Sequence, residues 1–237
     1  MCISENIAHV RERITAAARR AGRESQGIAL MAITKTVSPE RICEAYAAGV
    51  RVFGENRVQE FANKRDTLGN LQAAKWHMVG HLQSNKAHAA AELFHAIDSV
   101  DSARLLQRLK SAAKELGRTL PILIEINIGG EAAKSGVAPD SSELEEILNV
   151  TASCQSIAVR GLMTVPPYDD APENSRPYFR RMRALFEQIA AKKLPAVEMK
   201  TLSMGMSHDF EVAIEEGSTC VRVGTAIFGE RAKLHKP

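Results

Sequence analysis

Aromatic side chains are scarce in this chain: Phe, Trp and Tyr together make up 5% of 237 residues, with a single Trp. A chain of this length buries a sizeable core, so that core must come mainly from Ala, Val, Ile, Leu and Met. Cysteine is equally sparse. Cys2, Cys43, Cys154 and Cys220 include no CxxC spacing, which argues against a zinc knuckle or a paired redox centre. Four thiols in so long a chain, with no signal peptide, point to reduced cysteines in the cytoplasm. The first residues carry Glu5, Arg11, Glu12 and Arg13 in place of an apolar signal core. No stretch approaches the roughly 18 apolar residues of a membrane helix. Neither sign of charge dominates: the net charge is +3. Arg176, Arg180, Arg181 and Arg183 read as a solvated helix face, because a nucleic-acid surface needs a concentrated basic stripe with groove-reading elements. Linkers rich in Gly, Ser or Pro are also missing, so residues 1–237 are expected to form one domain.

What is present is alternation. Apolar residues at helical spacing run from Ser4 to Ala21 and stop at Gly22. A short apolar run, Ile28–Lys35, then reads as a buried strand. Ser38 and Pro39 open a helix that Gly49 closes. The pattern repeats. Strands are expected at Val50–Asn56, Lys75–Gly80, His95–Val100, Leu120–Gly129, Ile157–Val165, Ala196–Gly205 and Thr219–Gly229. The helices between them run over Val58–Leu68, Asn85–Phe94, Ser102–Leu116, Ser141–Cys154, about Asn174 to Ala191, and Asp209–Glu216. The SSELEE at Ser141 resembles a capping box. Roughly eight strands separated by single helices imply a parallel sheet and a closed (β/α)8 barrel of the TIM type, preceded by one extra helix. An open doubly wound sheet is the alternative, but its GxGxxG after the first strand is missing; ITKTVSPE stands there.

A parallel barrel places its chemistry at the C-terminal ends of the strands. Those ends carry Lys35, Glu55-Asn56, His81 with Asn85 beyond, Asn127, Met163-Thr164, Ser203 to Ser207, and Arg222 to Thr225. A lysine at the inner end of an apolar strand loses solvation, and a partly neutral amine can attack a carbonyl to form an imine. The plain alternative is a lysine that snorkels to the surface. The last two strands supply Ser203, Ser207, Gly205, Gly224 and Thr225, where barrels often hold phosphate. Arg222 either faces the mouth or lies behind the wall, paired with an acid such as Glu198. Glu55 is the one obvious carboxylate at the mouth. His77 and His81 span a strand end and do not make a metal pair. An imine lysine, a phosphate cradle and an arginine near a ring nitrogen together describe a site for pyridoxal 5'-phosphate (PLP). A phosphosugar imine enzyme would use only the first two.

ITKTVSPE, FGENRVQE, WHMVGHLQSNK, GLMTV, LSMGMSHDFEVAIEEGST and VRVGTAIFGER, in this order from about residue 28 to 231, closely resemble the pyridoxal phosphate homeostasis proteins. That family is similar in fold to the N-terminal barrel of alanine racemase, without its C-terminal β domain. The resemblance implies a Schiff base on Lys35. It implies Ser203, Ser207, Gly224 and Thr225 around the phosphate, and Arg222 at the pyridine nitrogen. Asn56, His81, Asn85 and Met163 would line the remainder. It further implies a cytoplasmic monomer that buffers PLP and delivers it to PLP-dependent apoenzymes, with no catalytic residue, metal, nucleic acid or membrane involved. A weak amino-acid racemase or lyase is the enzymatic alternative. The racemase's second proton-transfer group comes from a C-terminal domain, and this chain runs only to Pro237. Two departures stand out: Arg57 where the family more often has Tyr, and His208 where an acid is common.

Overall fold

The computed structural model describes residues 2–69, 71–131 and 133–230. Its eight strands are β1 (Ala29–Ile33), β2 (Val52–Glu55), β3 (Lys75–Met78), β4 (Ala96–Val100), β5 (Leu120–Glu125), β6 (Ile157–Met163), β7 (Val197–Met206) and β8 (Cys220–Val223). They close into a parallel barrel in sequence order, with β8 against β1. Around it lie α1 (Ile3–Arg20), α2 (Pro39–Ala47), α3 (Val58–Arg65), α4 (Ala87–Leu93), α5 (Ala103–Glu115), α6 (Ser142–Ala152), α7 (Arg176–Ala191) and α8 (Phe210–Glu215), followed by the short α9 (Thr225–Phe228). This is the expected (β/α)8 barrel with its extra N-terminal helix. The last residue of the VRVGTAIFGER motif, Arg231, lies outside the described residues.

Register decides which residues reach the barrel interior. Phe53 pairs with Trp76, and Gly54 with His77. Phe53 and Trp76 stack at 4.8 Å, and Trp76 and Phe94 each meet Phe61 of α3, so this set faces the helices. Side chains alternate along a strand. Gly54 and His77 therefore face inward, and a Cβ on Gly54 would lie 2.7 Å from Ile33 Cδ1 and 2.9 Å from Met31 Sδ. Carried round the ring, the same parity puts Glu125, Met163, Ser203, Cys220 and Arg222 on the inner wall. Between wall and helices the packing is the mainly aliphatic core anticipated above, with Phe53, Phe61, Trp76 and Phe94 gathered at α3 and Phe179, Phe210 and Phe228 buried elsewhere.

Three local expectations are corrected. The run Thr219–Gly229 is not one strand: pairing ends at Val223, and Thr225–Phe228 turns into α9. Gly224 is the break, after which α9 packs against α1, where the Asn6 amide donates to the Ile227 carbonyl. Ser141 does cap α6, accepting the N–H of Leu144, but position N3 is Leu144, so no capping box forms. Glu143 instead accepts the first N–H of α5, from Ala103, at 2.7 Å. Ser38 precedes Pro39 at the start of α2 as expected, yet its hydroxyl makes no cap bond.

The arginine run of α7 is bound more tightly than a solvated face. Arg176 reaches Glu173, Glu215 and Glu216, each at 2.7 Å, and Arg180 also bonds Glu216. Arg183 pairs with Glu187. The barrel-to-helix aromatic cluster yields a first prediction. Phe61→Ala should lower unfolding free energy by about 3–5 kcal/mol in a denaturant titration, while Tyr168→Ala, at a position 74% exposed, should stay within about 0.5 kcal/mol of the parent.

Candidate functional site

β1 delivers Lys35 two residues past its last paired position, in a turn where Thr36 takes φ 60. That turn is tied to α3. Thr34 Oγ1 donates to Glu55 Oε1 (2.7 Å), the Thr36 N–H donates to Glu60 (2.5 Å), and Lys64 Nζ donates to the Thr34 carbonyl, Glu55 and Glu60. Glu55 is thus fully buried on the helix-facing side of β2, not at the mouth. Burial pushes its carboxyl up while Lys64 and Thr34 hold it down, and burial prevails.

Opposite ends of the sequence meet above the barrel. Lys35, Asn56, Ser207, Arg222, Gly224 and Thr225 line one cavity of about 450 Å³ at the C-terminal ends of the strands. Its outer edge is the stretch Val165–Asp169, where the Tyr168 ring lies 5.4 Å from that of His208 and His208 Nε2 lies 2.9 Å from the Asp169 carbonyl. Near the end of β7, Gly205 holds φ +92, and a Cβ there would stand 2.9 Å from Phe210 Cα. The buried Asp209 closes the turn by accepting the Met206 N–H at 2.7 Å. Ser207 is so placed that its Oγ accepts the N–H groups of Gly224 (3.2 Å) and Ala226 (3.3 Å).

Arg222 lies inside the barrel and is 4% exposed. Nη1 donates to Ser203 Oγ (2.8 Å) and Nη2 to the Thr164 carbonyl (2.7 Å). Glu198 takes Arg160 and Lys200 instead, which rules out its pairing with Arg222 behind the wall. Burial works against the Arg222 charge, and Asp98, Glu125 and Asp209 favour it through space.

The other four anticipated residues lie apart from the cavity lining. Ser203 sits beneath it as the acceptor for Arg222. Met163 is buried on the inner wall of β6. His81 is exposed at the rim, 2.8 Å from Asp101. Asn85 lines a separate cleft with His88, Arg104 and Arg108 on α4 and α5.

Sequence reasoning weighed His77 only as a metal ligand and passed over two inner-wall acids, Asp98 and Glu125. His77 Nδ1 lies 3.0 Å from both Asp98 oxygens; burial opposes its protonation, but the Asp98 carboxylate more than compensates and raises it. Glu125 is 8% exposed, and its Oε2 has no hydrogen-bond partner among the described residues. Burial, then the Asp101 charge, push its carboxyl up to about 7, against Arg222 and His81. The available signal was a single acid inside each of two apolar strands, AIDSV and LPILIE. Among the described residues no His, Cys, Asp and Glu group could hold a metal ion, and no helix is long and apolar enough to cross a membrane.

The family model for the alanine racemase N-terminal domain matches residues 6–232. The pyridoxal phosphate homeostasis protein of Aquifex aeolicus is 44% identical over 227 residues, 96% of this chain and 97% of the relative. The chain belongs to the pyridoxal phosphate homeostasis family. PipY of Synechococcus elongatus, solved with PLP bound, is 36% identical at a TM-score of 0.82, covering 96% of this chain and all of that one. An alanine racemase of Clostridium difficile superimposes at a TM-score of 0.74 with 14% identity, across 58% of its length, a likeness of fold alone.

Glu125 generates a pH prediction. A carboxyl raised from 4.5 to about 7 in the folded state contributes its full stability below the unfolded value and loses it as pH rises through 7. The loss is about 3 kcal/mol at roughly 1.4 per unit. Glu125→Gln should therefore gain stability relative to the parent between pH 5 and pH 8, measured by chemical denaturation at each pH.

Proposed function

We propose that this chain holds PLP as a Schiff base on Lys35 and carries and buffers the cofactor in the cytoplasm, for transfer to PLP-dependent apoenzymes. The observation that carries this reading is the convergence of Lys35 and the buried Arg222 from adjacent strands on one cavity, beside the Ser207–Gly224 turn. The PLP bound to PipY supports it.

The residues present suit the group. The cavity is roomy enough for a single ring with its phosphate. Ser207 offers its hydroxyl hydrogen and Thr225 its hydroxyl and backbone N–H to an anion, beside the Gly224 N–H that Ser207 Oγ accepts. Arg222 brings a charge that cannot be discharged at ordinary pH. Its guanidinium is held by neutral acceptors, Ser203 and Thr164, which leaves its field available to a ligand. When bound, PLP supplies an aldehyde that condenses with an amine and a ring that withdraws electrons. Lys35 is the amine at the cavity, and the Glu55–Lys64–Glu60 network fixes the turn that presents it.

Arg222 also favours a carrier over a catalyst. An arginine donating to the ring nitrogen keeps that nitrogen unprotonated, whereas a carboxylate in its place would stabilise the protonated form. An unprotonated ring withdraws electrons weakly, so transamination and related carbanion chemistry are suppressed.

Borohydride reduction followed by peptide mapping should place a pyridoxyl label on the peptide containing Lys35, and Lys35→Ala should abolish the yellow absorbance of the purified protein. A label found mainly on Lys86 or Lys200 would overturn the assignment. The phosphate should supply much of the affinity, at about 1.5–3 kcal/mol for each charge-assisted bond. Pyridoxal should therefore bind far more weakly than PLP in equilibrium titrations. Equal affinity would place the phosphate elsewhere.

A further inference from the structure

Glu125 ends β5, which stands opposite β1 in a closed ring of eight strands. Its register with Met163 sets the carboxyl on the inner wall, on the side of the mouth away from Lys35. A buried carboxyl oxygen without a donor is costly, and Glu125 Oε2 is in that position among the described residues. Glu55 Oε2 also lacks a partner, but its sister oxygen takes Lys64 and Thr34.

Each neighbouring element bears on the charge of Glu125. From β4 comes Asp98, bound to His77, and from the position just after that strand Asp101, bound to His81. From β6 come Met163 and Thr164, which carry no charge. From β8 come Arg222 and Cys220, whose thiol burial pushes up to about 12 and so keeps neutral. Arg222 and His81 draw a negative charge on Glu125, and Asp101 repels it. Arg222 in turn feels Glu125 through space. The carboxyl and the guanidinium are therefore coupled inside the same wall, with no direct hydrogen bond from Arg222 to Glu125.

We infer that Glu125 is a positioning residue for Arg222, a proton-dependent control on how firmly the cavity holds an anionic ring phosphate. Uncharged, Glu125 leaves the Arg222 field to the ligand. Ionised, it competes for that field and repels the ligand's negative charge. Reciprocity requires that a bound anion raise the proton affinity of Glu125, so binding near neutral pH takes up a proton at this carboxyl. The inference rests on the PLP reading and adds a condition to it: retention weakens as pH rises through neutrality. The value near 7 places the change between pH 6 and 8.

Pyridoxine 5'-phosphate is the suitable probe, since it lacks the aldehyde and reports the ring and phosphate contacts without an imine. Its affinity should be measured by calorimetry at pH 6 and pH 8 for the full-length protein and for Glu125→Gln. Glu125→Met serves equally if the amide is not tolerated in the apolar wall. Titration of the probe itself, and of His77, is common to parent and variant and cancels in the ratio of their affinities. That ratio should fall on the order of tenfold from pH 6 to pH 8. Titrations at pH 7 in buffers of different ionisation enthalpy should show greater proton uptake by the parent than by the variant. Parallel pH curves with equal proton uptake would overturn the role of Glu125 while leaving the cofactor reading intact. If the probe binds neither protein at either pH, the cofactor reading fails and takes this inference with it.

Discussion

A guanidinium sealed inside the ring of strands sets terms for everything around it. Desolvating such a charge costs several kcal/mol unless its donors are satisfied and opposite charge is near. Arg222 meets the first condition with Ser203 Oγ and the Thr164 carbonyl, and the second at a distance with Asp98, Glu125 and Asp209. These groups come from β4, β5, β6, β7, β8 and the turn before α8, so one side chain organises most of the inner wall. A purely aliphatic barrel would pack without such arrangements. On the PLP reading, the polar interior is provision for an anionic occupant, whose charge completes what the protein leaves partly balanced.

The amine is handled by opposite means. Lys35 stands on a turn outside the paired strand, so it owes its position to neighbours. Thr34, Thr36 and the helix α3 bracket it through Glu55, Glu60 and Lys64. A buried carboxyl and a nearly buried ammonium on the far side of the wall thereby hold the backbone from which Lys35 reaches the cavity. Charge inside the barrel surrounds Arg222; charge outside it holds the turn that carries Lys35.

The barrel was legible because most strands are short apolar runs and most helices are bounded by Gly, Ser or Pro, so eight repeats could be counted. Lys35, Asn56, Ser207, Arg222, Gly224 and Thr225 converge as strand-end residues should. The misreadings share a cause: a strand's inner and outer faces cannot be assigned without its register. Glu55 and Glu125 both end apolar strands, yet opposite parity sends one to the helices and the other to the interior. The break at Gly224 was hidden because TAIF is as apolar as the strand before it.

One feature of the topology bears on how the molecule comes into being. β8 pairs with β1, Arg222 beside Met31, and α1 is stapled to the final helices by Arg13–Glu211, Arg20–Glu215 and the Asn6 amide on the Ile227 carbonyl. Lys35 and Arg222 stand on the two sides of this seam. Contacts so remote along the chain are the slowest to form, and during synthesis β8 is the last strand to leave the ribosome. The binding cavity is therefore assembled by the very event that closes the barrel. An incomplete chain displays the lysine without the arginine, so on the proposed reading capture of a ring phosphate is a property of the finished fold alone.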